Sequence, residues 1–345
     1  MRYQPPPPFS DARPSLTRPE VDRLLDRKKR VLVAGELILD EFIWGKVSRI
    51  SPEAPVPVLE VSRQTYNAGG AANVARNLRE FLDDVHILGL GGEDAAGAQL
   101  HSLLDSQGIH LDCVQVDPAY TTISKTRIIA RNQQLVRIDR EKRTAFTDAQ
   151  RDRALSQFRA LLPQLDAVIL EDYNKGLLDQ PLVDSIISIA RQAGKIVSVD
   201  PKPANTVTWR NVTCVTPNRT EAFQAAGVPW TEPVDPPAAD SALQEVGKRL
   251  LEKWQCEHLL VTLSEQGMVL FQAGQELFHI PTRAQEVFDV SGAGDTAIAL
   301  FTAALAGGAT AAQAAEISNH ASGIVVGKLG TATVTREELL GSFEE

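Results

Sequence analysis

The segment Asp289-Val290-Ser291-Gly292-Ala293-Gly294-Asp295 runs directly into the helix-forming stretch TAIALFTAALAGG. Two glycines before a helix start let the backbone turn sharply and aim free N–H groups, with the helix dipole behind them, at an anion. Asp295 falls in the first turn, where a carboxylate is expected to be stabilised in its charged form and to accept a proton from a hydroxyl held beside the anion. Phosphoryl transfer uses such a pair, because its loose transition state is met mainly by donors around the transferring oxygens and one base orienting the nucleophile. An ordinary glycine turn with a capping Asp fits the same residues. So does the dinucleotide pattern G-x-G-x-x-A over Gly292 to Ala297, with Glu316 about twenty residues on. That pattern belongs in the first βαβ unit, however, and Glu316 sits in a helical pattern. A Walker-type loop is excluded, because none of the Gly-Lys pairs starting at 45, 194, 247 and 327 is followed by Ser or Thr.

The elements that would carry this loop are legible as alternating patterns. Apolar runs at 31–35, 85–90, 167–170, 196–200 and 259–263 read as buried strands, and the stretches 71–82, 149–165, 181–194 and 241–254 as amphipathic helices. Repeated alternation predicts an α/β fold with a mainly parallel central sheet and helices on both faces, since parallel strands need crossover connections. Residues 42–66 and 120–139 are β-branched and lack helical periodicity, so they are expected to form a small auxiliary β lid over the carboxyl ends of the sheet. Residues 31–345 are expected to form one domain. Six of the twenty prolines lie in the first twenty residues, and residues 1–30 read as a flexible proline-rich extension without a signal-peptide core. Thr296 to Ala315 carries no charge, but Gly307-Gly308 divides it into two buried helices and argues against a membrane span.

Composition narrows the classes of function. The 345 residues carry a net charge of −9, which disfavours a broad nucleic-acid surface. Cys113, Cys214 and Cys256 are too scattered for a disulfide framework or a thiol metal site, so a reducing, cytoplasmic setting is the simpler expectation. The six histidines follow no ligand motif such as HExxH.

Four separated motifs occur together: GELILDEF (35–42), NAGGAANVARN (67–77), TPNRTEA (216–222) and DVSGAGDT (289–296). Their order and content resemble the ribokinase-like, or PfkB-type, sugar kinases, over about Val31 to Val334. SRISPEAPVPV (48–58), RNQQLVRID (131–139), EDYNKG (171–176), SEQGM (264–268), AQEVFDVSGAGDT (284–296) and VVGKLGTATV (325–334) are most similar to the branch acting on D-glycero-β-D-manno-heptose 7-phosphate. In that branch a kinase is often fused to a nucleotidyltransferase bearing HxGH. This chain has no HxGH, and so resembles the stand-alone kinases. Glu36 stands where the family pattern leads one to expect Asp, and Ser291 where Thr is commoner.

The resemblance implies a ribokinase-like fold, ATP and Mg2+ as cofactors, K+ beside Asp289 and Ser291, and a homodimer formed through the lids. Asp295 would be the catalytic base, with the N–H groups of Gly292, Ala293, Gly294 and Asp295 as anion hole. Asn218 and Glu221 would hold Mg2+ and phosphates through water, although NRTE is equally a helix-capping box. Thr262, Ser264, Gly267 and Asn319 would line the nucleotide pocket, or else form a turn and a polar helix face. Asp40, Gly69, Gly70 and Asn73 would bind the sugar, the alternative for Asp40 being a solvated residue after a strand. Lys175 and Arg137 are the candidates for the substrate phosphate, with Arg131 and Lys202 in reserve and Asn132 and Gln134 as hydrogen-bond donors; solvated charges are the alternative. The implied reaction is phosphorylation of the anomeric hydroxyl to the 1,7-bisphosphate, in ADP-heptose synthesis for lipopolysaccharide core. A kinase of another sugar phosphate and a non-catalytic sugar sensor remain as rivals, and a nicotinamide oxidoreductase is disfavoured by motif position.

Overall fold

The structure is a computed structural model that describes residues 16–131, 133–283, 287–328 and 330–344. Its strands begin with β1 (Arg30–Gly35), β2 (Leu37–Ile50), β3 (Pro57–Gly70), β4 (Asp84–Gly92), β5 (His110–Asp117), β6 (Ile123–Ala130) and β7 (Gln133–Arg140). They continue with β8 (Ala167–Glu171), β9 (Ile196–Asp200), β10 (Cys214–Val215), β11 (His258–Thr262), β12 (Met268–Gln272) and β13 (Phe278–Ile280). The helices are α1 (Arg18–Leu24), α2 (Ala71–Arg79), α3 (Ala95–Ser106), α4 (Asp148–Leu161), α5 (Gln180–Gln192), α6 (Arg219–Ala226), α7 (Ser241–Trp254), α8 (Ala293–Ala306), α9 (Ala311–Val325) and α10 (Arg336–Leu340).

Nine strands form one sheet in the order β13-β12-β11-β10-β9-β8-β1-β4-β5. From β11 to β5 every pairing is parallel, and only β12 and β13 join antiparallel. Side chains alternate across a strand, so the two faces build separate cores: in β1, Val31 and Val33 join one and Leu32 and Ala34 the other. Helices α2, α3, α8 and α9 cover the first face, and α4, α5 and α7 the second. Each apolar run read as a strand is one, and α8 and α9 are the two buried helices on either side of Gly307-Gly308.

The second sheet, β3-β2-β6-β7, is the auxiliary lid. Its strands are longer than the segments expected, because β2 and β3 extend down to Leu37 and Gly70, beside the ends of β1 and α2. The expected flexible extension needs correction from Leu16 onward, and its first fifteen residues lie outside the described ones. Thr17 and Glu20 make a capping box for α1, and Leu16, Val21, Leu24 and Leu25 are buried in the first core. Apolar residues at 21, 24 and 25 have helical spacing, which the proline-rich composition around them obscured.

Candidate active site

The GAGD loop sits at the carboxyl ends of the central strands. Gly292 caps α8 with φ +82°, a left-handed conformation that glycine adopts without penalty, and its α-carbon lies so near Asn73 that a β-carbon would come within 3.0 Å of Nδ2. Of the expected anion-hole donors, the Ala293 N–H already reaches Val290 O at 3.3 Å, so the Gly294 N–H is the better placed. Asp289 fastens the loop: its Oδ1 accepts the Ser291 N–H at 2.9 Å and its Oδ2 the Gly330 N–H at 3.0 Å.

Asp295 is buried at 5% exposure. Its Oδ2 accepts Asn73 Nδ2 at 2.7 Å and its Oδ1 the Tyr173 hydroxyl at 3.0 Å. The expectation that the helix start holds this carboxylate charged is corrected here: burial outweighs the two donors and raises its pKa. A raised pKa makes the carboxylate a stronger base. Asn73 is fully buried, and its Oδ1 has no partner among the described residues, leaving a free acceptor beside Asp295.

Two acids missing from the expected site complete this floor. Glu171 ends β8 and Asp200 ends β9, and oxygens of Glu171, Asp200 and Asp295 all lie within 4.8 Å of one another. Burial first pushes the pKa of both Glu171 and Asp200 well up, followed by the charges of Asp200 and Asp295 for Glu171 and of Glu221 and Asp295 for Asp200. Three carboxylates this close fit a hard divalent cation, whose ligands are oxygens and whose charge would relieve the repulsion. Asp172 follows, its pKa raised to about 6 by burial and the nearby Glu36, and it accepts Asn205 Nδ2 at 3.1 Å.

Glu36 is the clamp of the loop 171–176. Its Oε2 accepts the Tyr173 N–H at 3.0 Å, and its Oε1 those of Lys175 at 3.0 Å and Leu177 at 3.1 Å. That loop turns through Asn174 and Gly176, both at positive φ. Held so, it delivers the Tyr173 hydroxyl to Asp295.

One face of the lid is built from β2, β6 and β7. Parallel pairing of β2 with β6 and antiparallel pairing of β6 with β7 put Asp40, Lys125 and Asp139 abreast, and likewise Phe42, Arg127 and Arg137. All six therefore share one face of the lid. Asp40 is buried and ion-paired with Arg127, so it is no solvated residue after a strand. Gly69 makes room for it, since a β-carbon there would sit 2.3 Å from Asp40 Oδ2, and Gly70, at φ +61°, starts α2. Arg137 holds Asp139 through two hydrogen bonds of 2.8 and 2.9 Å, and Lys175 Nζ lies 2.8 Å from Glu141, just beyond β7. Arg137 and Lys175 thus pair with acids two residues apart, one in β7 and one just beyond it. Arg131 and Gln134 are exposed near the β6–β7 turn, and Asn132 lies outside the described residues.

Among the residues expected to line the nucleotide pocket, Asn218 bridges to Thr262 at the ends of β10 and β11. Asn218 and Glu221 do form the capping box of α6. Lys202, held in reserve for the substrate phosphate, pairs its ammonium with Glu221 Oε1 at 2.6 Å. Ser264 and Gly267 form a tight turn after β11, and Asn319 Nδ2 donates to Pro281 O at 2.8 Å, bracing the segment after β13.

The family follows from comparison with known proteins. Residues 28–338 match the profile described as pfkB family carbohydrate kinase. The chain belongs to the PfkB family of carbohydrate kinases. Its fold is ribokinase-like. Among curated relatives it is 42% identical over 316 residues to the Bifunctional protein HldE of Desulfatibacillum aliphaticivorans, covering 92% of this chain and 63% of that one. The Bifunctional protein HldE of Vibrio cholerae is 43% identical over 312 residues, covering 90% of this chain and 63% of that one. The chain thus spans somewhat under two thirds of the length of these relatives. Arabidopsis thaliana ribokinase complexed with ribose and ATP superposes with TM-score 0.68 at 19% identity, over 92% of this chain and 99% of that one. Phosphofructokinase-2 from Escherichia coli in complex with potassium gives TM-score 0.71 at 17% identity, over 91% and 98%. No described helix is long and apolar enough to cross a membrane.

Proposed function

We propose that this kinase transfers the γ-phosphoryl group of ATP to the anomeric hydroxyl of D-glycero-β-D-manno-heptose 7-phosphate, giving the 1,7-bisphosphate for ADP-heptose and lipopolysaccharide-core synthesis in the cytoplasm. The observation that carries the reading is the buried carboxylate of Asp295 at the start of α8, held by Asn73 and Tyr173, with the cations Arg137 and Lys175 paired to Asp139 and Glu141 along the lid. Similarity to the bifunctional HldE proteins supports it. Asp40 and the free Asn73 Oδ1 accept sugar hydroxyls, Asp295 takes the proton of the attacked one, and the α8 N-terminus receives the transferring phosphoryl oxygens. Mg2+ bound near Glu171, Asp200 and Glu221 would neutralise charge on the phosphates. A K+ ion near Asp289 belongs to the same proposal. A coupled assay of ADP formation tests the substrate. Turnover that requires the heptose 7-phosphate supports it, and equal turnover with ribose or fructose 6-phosphate removes it. A homodimer through the lids is supported by Val61, Val136 and Ile138, exposed apolar residues of the lid strands.

Two substitutions test the parts. Lys175→Ala and Arg137→Ala should each weaken heptose 7-phosphate binding by roughly ten- to a hundred-fold while ATP affinity holds, since a hydrogen bond to a charged partner is worth about 1.5–3 kcal/mol. If calorimetry shows wild-type affinity in both, the phosphate lies elsewhere. Glu221→Gln keeps an oxygen for the α6 cap but loses the charge. It should raise the Mg2+ concentration for half-maximal activity, and an unchanged Mg2+ curve would reduce Glu221 to its capping role.

A further inference from the structure

A second cluster lies at the opposite, amino-terminal ends of the parallel strands. Side chains two apart on a strand share a face, so Asp84 and His86 project together from β4. Parallel pairing sets His110 of β5 directly beside His86, and the two imidazoles stack at 4.6 Å between centroids. Asp84 Oδ1 lies 2.6 Å from His86 Nε2 and 3.6 Å from His110 Nε2. All three donor atoms fall within 4.8 Å of one another.

Two details distinguish this cluster from an ordinary hydrogen-bonded pair. Asp84 Oδ1 is shielded from solvent yet accepts no aligned hydrogen bond, despite the nearness of His86. Arg30 meanwhile holds the other oxygen, Oδ2, at 2.6 Å, which fixes the carboxylate and leaves Oδ1 turned to the imidazoles. Tetrahedral coordination at about 2.0–2.2 Å separates neighbouring ligand atoms by roughly 3.3 Å, between the two spacings seen here.

We propose that Asp84, His86 and His110 bind one Zn2+ ion per chain, with water or the neighbouring Asp112 as fourth ligand, as a clamp between β4 and the edge strand β5. Two imidazoles and a carboxylate are borderline donors that suit zinc, whereas the all-carboxylate floor of the kinase site suits Mg2+. Seen from the sheet, the ion would join its last strand to the next by metal bonds, at the end away from phosphoryl transfer.

The experiment is a calorimetric titration of the metal-stripped protein with Zn2+ alone, in excess Mg2+ so that the acidic floor does not compete. The expected result is one Zn2+ per chain, a higher Tm in its presence, and binding weakened at least about tenfold by His110→Ala, with kinase turnover unchanged. His110 is 46% exposed on its side chain, so its removal leaves the fold intact; Asp84→Asn gives a second variant that keeps the shape. Absence of stoichiometric binding overturns the site, as does Zn2+ affinity undiminished in both variants. Preference for Cu2+ with no Zn2+ binding overturns the tetrahedral assignment.

Discussion

Asp295→Asn should lose at least about a hundred-fold in kcat while keeping ATP affinity, because an amide cannot take the sugar proton and a positioned base is worth on that order or more. The fold should not suffer. The Asn side chain retains an oxygen for Asn73 Nδ2 and presents an amide to the Tyr173 oxygen, so both contacts have a counterpart. Stability should move the other way from activity. The folded pKa of Asp295 is raised, so any stability tied to its proton is present below the unfolded pKa and is lost as pH rises through the folded one. At about pH 8 the wild type carries the full cost of a buried charge and the variant does not. The variant's Tm should therefore equal or exceed the wild type's there, with the gap narrowing toward acid. Paired melting curves and steady-state kinetics check both halves, and near wild-type turnover in a folded Asp295→Asn protein removes Asp295 as the base.

The sequence made the backbone of this site legible because its signals are local. A glycine turn before an apolar helix, strands that are short and apolar, and a Gly-Gly break at 307–308 each state their geometry within a few residues. What it hid are contacts across large sequence separations. Arg127 reaches Asp40 across 87 residues, and Tyr173 reaches Asp295 across 122. Neither partner is marked by its neighbours, since Arg127 looks like any polar position on an alternating strand. Glu171 and Asp200 did leave a signal. Each is an acid ending a buried apolar run, and in a parallel sheet such ends converge at the ligand crevice.

Asn218 and Glu221 show the limit of motif reading from the other side. Their spacing satisfies a capping box and a phosphate-facing pair at once, and the structure realises the first with Asn218 Oδ1 taking the Glu221 N–H at 2.9 Å. One carboxylate oxygen remains for other work, and Lys202 holds it. The ion pair places a cation and an anion together where ATP phosphates and a metal would need one of each. Arg137 with Asp139, and Lys175 with Glu141, repeat the arrangement at the sugar end. Bound phosphates would replace these acids as partners, so each cation is kept in position without being consumed by the fold.

Glu36→Gln should damage the enzyme at a distance, and it tests whether the unusual residue of GELILDEF has a function of its own. The carboxylate reaches across from the end of β1 to accept three backbone N–H groups of the loop carrying Tyr173. Burial raises its pKa, and the three donors oppose that and stabilise the charged form. The Gln amide can offer one oxygen to Lys175 and Leu177, but its NH2 then confronts the Tyr173 N–H, donor against donor. An unsatisfied buried donor costs about 1–3 kcal/mol, which at the upper end is a hundred-fold change in the opening of the loop. Hydrogen exchange at Tyr173, Lys175 and Leu177 should accelerate by roughly ten- to a hundred-fold, with protection in β8 and β9 kept. Because Tyr173 supplies one of the two donors to Asp295, kcat should fall with it, and the KM for ATP should change little. Glu36→Asp, one methylene shorter, should restore the charge yet fail to span to all three amides, giving partial rescue. Wild-type exchange in the loop of the Gln variant would show that Tyr173 is held by other contacts, and the clamp would lose its place in the mechanism.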